Sequence, residues 1–254
     1  MSPLGQHITF RLMDSRVIAP TTADQRRMAV AVLRALKPYP LLAFRCADTH
    51  GHIALLGSDR DAREAARRAL IATSKTLGLP VRFQPAHLEA IRDQAHLDRT
   101  VRYVLRQDDH HGFAHDPWLD ASNVPDLLGL RTVGTWTATQ VRQALPRIGR
   151  AELLDAAGLT GLDEQPLDPT HLPDAAAAAV GCPDLSGRTA PVVAARRAAV
   201  HVGRPLMKPG ALARLLGIQP RSARQLAAQP ADDALVKAVT GQLRLRTLRL
   251  ASDT

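Results

Sequence analysis

Cysteine is scarce in this 254-residue chain, with Cys46 and Cys182 its only two. That excludes a disulfide-stapled scaffold and a cysteine-rich zinc site. No apolar run reaches the roughly 18 residues a membrane-spanning helix requires. The opening MSPLGQHITF lacks the basic-then-apolar layout of a secretory signal, so the expected compartment is the cytoplasm. No stretch repeats, which argues against a solenoid. Tyrosine is nearly absent, with only Tyr39 and Tyr103. Lysine is rare as well, four residues against 29 arginines. Two readings of that bias stay open: a GC-rich coding sequence, or a partner suited to the bidentate guanidinium, phosphate above all. The remaining composition is ordinary, 45% hydrophobic and 22% charged, enough for one large or two small soluble domains. A net charge of +9 excludes an acidic solvating segment and makes nucleic acid an early candidate partner.

The charge is unevenly placed. Residues 1–117 carry 17 basic and 12 acidic side chains, residues 118–187 carry 4 and 9, and residues 188–254 carry 12 and 3. A mildly basic front, an acidic middle and a strongly basic tail imply separate modules. Pro166, Pro169, Pro173 and the alanine run Ala175 to Ala179 make residues 160–190 read as a linker.

The front module alternates strands and helices. A strand is expected over His7–Met13. Thr21–Lys37 follows as a helix with Met28, Val32, Leu33 and Leu36 on one face and Thr21 or Thr22 as N-cap. Pro38 and Pro40 end it. Strands are expected over Leu41–Ala47 and His52–Leu56, joined at Asp48-Thr49. Asp59 is then expected to cap a second helix that runs to about Leu77, closed by Gly78 and Pro80. A fourth strand is expected at Val81–Gln84 and a long helix from Pro85 to Gln107. This β-α-β-β-α-β order is the split βαβ pattern, an α+β fold with a ferredoxin-like antiparallel sheet and helices on one face. Cys46 falls in a strand, where a buried small hydrophobe is expected.

Two short segments carry the chemistry. In Thr49-His50-Gly51-His52, strand alternation points His50 and His52 to the same face, close enough to share one divalent metal. Ordinary core or surface histidines would give the same pattern. In Tyr103-Val104-Leu105-Arg106-Gln107, Tyr103 and Gln107 lie one helical turn apart. Gln107 has a carbonyl oxygen for a hard cation, and Tyr103 would lie beside it. A half-buried aromatic on an amphipathic helix is the alternative for Tyr103, and Tyr39, between Pro38 and Pro40, reads as a loop or packing aromatic. The histidine-rich stretch Asp108–Asp116 is a rival metal site or a solvated loop. Arg63 and Arg67, with Arg60 and Arg68, cluster on one helix, and Arg102 and Arg106, with Arg99, lie near Tyr103. Both groups suit a DNA backbone or a solvated helix face.

A His-x-His strand followed by a helical Tyr-x-x-x-Gln resembles the HUH endonucleases with a single catalytic tyrosine, and among them the REP-associated tyrosine transposases. The resemblance spans residues 6 to about 131, including the His7-Ile8-Thr9 opening, Trp118, and Pro125-Asp126-Leu127-Leu128-Gly129-Leu130. It implies that His50, His52 and Gln107 hold Mg²⁺ or Mn²⁺. It further implies that Tyr103 attacks a phosphodiester of single-stranded or hairpin DNA and leaves a 5′-phosphotyrosine link. In the family a bulky apolar residue separates the histidines and Pro-Asn precedes them. Here Gly51 and Asp48-Thr49 stand in those places, and Gly51 is expected to loosen the seat of the strand in the core.

The tail reads as consecutive helices, Pro191–Val202, Pro209–Leu216, Pro220–Ala228 and Asp232–Leu245. A helix, a Gly217-containing turn and an arginine-bearing helix are the layout of a helix-turn-helix. Ala211–Ile218 is similar to the first helix and turn of many such units, and the upstream block Ala195-Arg196-Arg197-Ala198-Ala199-Val200 resembles the DNA-binding domain of the replication initiator DnaA. The likeness implies that Arg221, Ser222, Arg224 and Gln225 read duplex DNA, where Arg and Gln match guanine and adenine edges. A basic bundle packed on the front domain is the alternative. The expected organisation is a tyrosine nuclease domain at 1–131, an acidic helical connector at 132–187 and a basic helix-turn-helix domain at 188–254. The expected protein is a nucleoid-associated transposase or endonuclease, with a monomer favoured over a dimer. Two other readings remain: an inactive DNA-binding regulator of the same fold, and a metal-dependent phosphoesterase with water as nucleophile.

Overall fold

A computed structural model describes residues 3–106 and 119–252. The described residues fall into two compact units. The first runs up to Leu128 and takes in Gly134–Gly158, and the second comprises Gly129–Val133 and the chain from Leu159. The segment 132–187, expected to form a separate connector, is therefore divided between the two units.

The first unit is a mixed α+β structure. Its elements are β1 (Gly5–Arg11), α1 (Thr22–Leu36), β2 (Leu41–Ala47), β3 (His50–Leu56), α2 (Asp59–Leu77), β4 (His87–Ile91) and α3 (Gln94–Leu105). The strands form one antiparallel sheet in the order β2-β3-β1-β4. Local chemistry sets the boundaries. Thr21 caps α1 by accepting from the Asp24 N–H. The cap of α2 is Ser58 rather than the expected Asp59, which is its first helical residue: Ser58 and Asp61 form a reciprocal capping box, and Gly78 ends the helix at φ 61°. Asp48, at φ 53°, turns the chain so that Ala47 pairs with His50. Aspartate tolerates that left-handed conformation better than most residues.

The fourth strand is His87–Ile91, and the helix expected from Pro85 begins only at Gln94, capped by Asp93. Val81–Gln84 contributes no named strand, only an isolated bridge between Phe83 and Leu12. The helices also do not share one face. Leu88 pairs with Ile8 and so lies on its side of the sheet, where it shares a groove with Ala66 and Leu70 of α2. α1 packs along α2. The opposite face carries His7, His50 and His52 and is covered by α3.

The segment after residue 118 seals the edge of β2. Asn123 accepts from the Phe44 N–H and donates to Leu42 O through its side chain, and its own N–H donates to Phe44 O. Arg26 of α1 is buried against Asp120, with Nε 2.9 Å from the carboxylate. Further helices of this unit are α4 (Val124–Leu127), α5 (Trp136–Ala144) and α6 (Arg150–Ala156).

The second unit is helical in its described residues: α7 (Leu172–Ala179), α8 (Ala190–Gly203), α9 (Pro209–Leu215), α10 (Pro220–Ala227) and α11 (Asp233–Ser252). The alanine run read as a linker is its core. Ala175, Ala176, Ala177 and Ala179 are fully buried with Ala195, Ala199, Val239 and Leu243. Small side chains let α7 approach α8 and α11 closely, so alanine here is a packing residue. Gly203 serves the same end: a Cβ there would stand 2.6 Å from Leu212 and 2.7 Å from Leu172.

Candidate functional site

The β1–β3 ladder pairs Thr9 with His52 and Arg11 with His50, and the β1–β4 ladder pairs His7 with Glu89 and Thr9 with His87. Directly opposed residues share a face. One face of the sheet therefore gathers His7, His50, His52, His87 and Glu89. The rings of His50 and His52 lie edge to face with centroids 4.9 Å apart. The His7 and His52 rings are nearly parallel with centroids 5.2 Å apart, and they meet end to end, His7 Nε2 lying 3.1 Å from His52 Nδ1. Thr9 Oγ1 is 3.4 Å from the same nitrogen.

Tyr103 reaches this cluster from α3. Its ring is edge-on to His52 at 5.4 Å and to His7 at 5.9 Å, while 41% of the residue stays exposed. The structure thus brings His50, His52 and Tyr103 together. Gln107 and the rival histidine stretch Asp108–Asp116 lie outside the described residues, as does Trp118. Among the described residues, no group of three or more His, Cys, Asp or Glu side chains could hold a metal ion.

Burial pushes the His7 imidazole below its ordinary pKa of 6.5; Glu89 pulls it up, and His87 and His96 push it down further. Its Nδ1 is 3.8 Å from Glu89 Oε2. His7 therefore tends to be neutral in the fold.

Two members of this neighbourhood escaped the sequence reading in their roles. His7 was visible only as part of an opening strand, because its contact with His52 depends on strand register. Arg45 is fully buried, faces His52 across the β2–β3 ladder, and donates to Leu105 O at the end of α3. A guanidinium at the carbonyl end of a helix meets the negative end of its dipole. It fixes the helix end that bears Tyr103.

Gly51 does not leave the strand loose. It pairs with Phe10, whose ring fills the space beside it: a Cβ on Gly51 would stand 2.2 Å from Phe10 Cζ. Phe10 in turn packs edge-on to Phe83 at 5.8 Å. The volume missing at Gly51 is supplied from the neighbouring strand.

The arginines separate by position. Arg102 donates to Asp98 one turn back, at 3.0 Å, and Arg106 is the exposed C-cap of α3. Arg63 pairs with Asp59 and Arg67 with Glu64. Both border the groove beside Leu88, on the face of the sheet away from Tyr103. Arg221, Ser222, Arg224 and Gln225 lie on α10 of the second unit, with all but Ser222 exposed. Tyr39 packs under the Arg68 guanidinium at 5.7 Å, and its carbonyl accepts from Gln140, which makes it a structural residue. Cys46 is buried and its thiol pKa is raised by that burial, so it is a core residue. A cleft of about 400 Å³ opens beside His50, lined by Thr9, Arg11, Ser15, Thr49, Gln84 and His87 among others.

No family model matches the chain, and no curated protein matches it. Among solved structures it is similar to a REP-associated tyrosine transposase bound to a REP hairpin. That similarity has 22% identity and a TM-score of 0.38, over 47% of this chain and 72% of the other. No helix among the described residues is long and apolar enough to cross a membrane.

Proposed function

We propose that the first unit is a single-tyrosine nuclease and strand transferase acting on single-stranded or hairpin DNA, with Tyr103 as nucleophile. One observation carries this reading: the Tyr103 ring of α3 packs edge-on to His52, which stands beside His50 on β3. Two imidazoles on one sheet face are donors that suit a divalent cation, Mn²⁺ better than Mg²⁺, which prefers an all-oxygen shell. His50 and His52 would hold it, joined by the Gln107 amide oxygen. When bound, the cation supplies Lewis-acid polarisation of the scissile phosphate.

Tyr103 Oη attacks phosphorus in line. The Oη–P bond forms as the P–O3′ bond breaks, the phenol proton passes to solvent, and the departing 3′-oxygen takes up a proton. The 5′-phosphotyrosine link conserves the phosphodiester energy, and a 3′-hydroxyl reverses the step to rejoin strands. The exposure of Tyr103 lets a DNA strand reach it. Arg102 and Arg106 flank the nucleophile and fit phosphate contact, and the cleft beside His50 offers a path for the adjoining nucleotides. Arg63 and Arg67 would meet only DNA that wraps the other face.

In the second unit, α9, the Gly217 turn and α10 suit a helix-turn-helix that presents Arg221, Ser222, Arg224 and Gln225 to duplex DNA. The reading is tested by the ends of the product. Incubated with labelled hairpin oligonucleotides and Mn²⁺, the protein should release fragments with free 3′-hydroxyls and blocked 5′ ends. Free 5′-phosphates would instead indicate water as the nucleophile.

A further inference from the structure

We infer that Glu89 and His7 set the tautomer of His52, acting as positioning residues that turn its Nε2 lone pair into the metal-binding atom. The inference rests on His52 being a ligand, as proposed above.

His7 Nε2 and His52 Nδ1 stand 3.1 Å apart, a hydrogen-bond distance. With both rings neutral, one hydrogen lies between them, and two arrangements are available. If His7 Nε2–H donates, His7 Nδ1 is a bare lone pair and His52 carries its proton on Nε2. That nitrogen then has no lone pair for a cation. If His52 Nδ1–H donates, the His7 proton sits on Nδ1 and His52 Nε2 is bare.

Glu89 separates the two. Its Oε2 lies 3.8 Å from His7 Nδ1, so it attracts an N–H there and repels a lone pair. Thr9 Oγ1, at 3.4 Å from His52 Nδ1, is neutral in the choice because a hydroxyl both donates and accepts. The favoured chain is Glu89 to His7 Nδ1–H, then His7 Nε2 to His52 Nδ1–H, leaving Nε2 of His52 bare. Orientation of a ligating histidine through its second nitrogen is a general device of metal sites. Here a second histidine stands between the ring and the carboxylate.

The β1–β4 and β1–β3 ladders make this chain possible. They place Glu89, His7 and His52 on one face of three adjacent strands. Glu89 is largely exposed, so its substitution should not disturb the core.

The test reads nitrogen-15 shifts of the histidine rings in the full-length, metal-free protein at neutral pH. His52 should carry its proton on Nδ1 in the wild type. Glu89→Gln should shift population towards the Nε2–H form, and His7→Phe should do so further. Free Mn²⁺ followed by electron paramagnetic resonance should show roughly tenfold weaker binding in Glu89→Gln, the lower end of the effect typical for such partners. An Nε2–H form of His52 in the wild type, or a tautomer unmoved by Glu89→Gln, would overturn the inference. Mn²⁺ binding that survives His50→Ala and His52→Ala would overturn the metal-site reading itself, whatever the tautomer.

Discussion

Gly51 lies directly opposite Phe10 across the β1–β3 ladder, and the Phe10 ring occupies the space a side chain at Gly51 would need. The strand that carries His50 and His52 is thus seated by an aromatic ring from its neighbour. Gly51→Val should cost about 1–3 kcal/mol, the usual range for overpacking a tight core. Adding Phe10→Ala should recover part of that loss, because it vacates the same volume. Urea unfolding of the two variants measures both effects. No destabilisation in Gly51→Val would show that the ring does not hold the strand.

Arg26 and Asp120 form a buried ion pair that fixes residues 119–128 to α1. Removing one partner strands the other charge, which typically costs about 3–5 kcal/mol. Asp120→Ala should therefore lower the urea midpoint sharply. The double variant Arg26→Met, Asp120→Leu should come much closer to the wild type. Equal losses in the single and double variants would contradict the pairing.

The depressed pKa of His7 makes stability depend on pH. The unfolded chain, with an ordinary pKa of 6.5, takes up a proton before the fold does. The contribution is complete above that value and is lost as pH falls through the lowered folded value. The urea midpoint should fall as pH is lowered below 6.5, and His7→Asn should flatten part of the fall. An identical pH profile in both proteins would contradict it.

Arg221 and Arg224 on α10 should contribute to duplex binding. In the full chain, Arg221→Ala with Arg224→Ala should weaken duplex affinity and reduce the slope of log affinity against log salt by about 2 if each meets a phosphate. A base-edge contact would instead relax sequence preference. Unchanged affinity in both respects would favour a packing role for the tail.

Much of the first unit was legible in the sequence because caps and apolar spacing act locally. Thr21, Gly78 and the apolar face of α1 mark their elements without help from the rest of the chain. β4 was not legible: His87-Leu88-Glu89-Ala90 alternates polar and apolar residues, but the run is only five residues long and only Ile91 is fully buried, too short a signal to separate an edge strand from the helix that follows. Residues 175–179 misled for a related reason. Alanine carries little hydrophobic signal, and its value lies in the close helix contacts it permits. At the site, the His50–His52 pair follows from strand alternation alone. The contact between His7 and His52, 45 residues apart, depends on register, and the burial of Arg45 depends on where α3 ends. Neither is encoded in a local spacing.

The central claim, that Tyr103 is a nucleophile beside the histidine pair, is tested most directly by covalent trapping. The protein is incubated with labelled hairpin DNAs and Mn²⁺, then run on a denaturing gel. A shifted, nuclease-sensitive band is expected for the wild type, absent in Tyr103→Phe and in His50→Ala with His52→Ala. Cleavage without a shifted band, or a band that persists in Tyr103→Phe, would contradict the account.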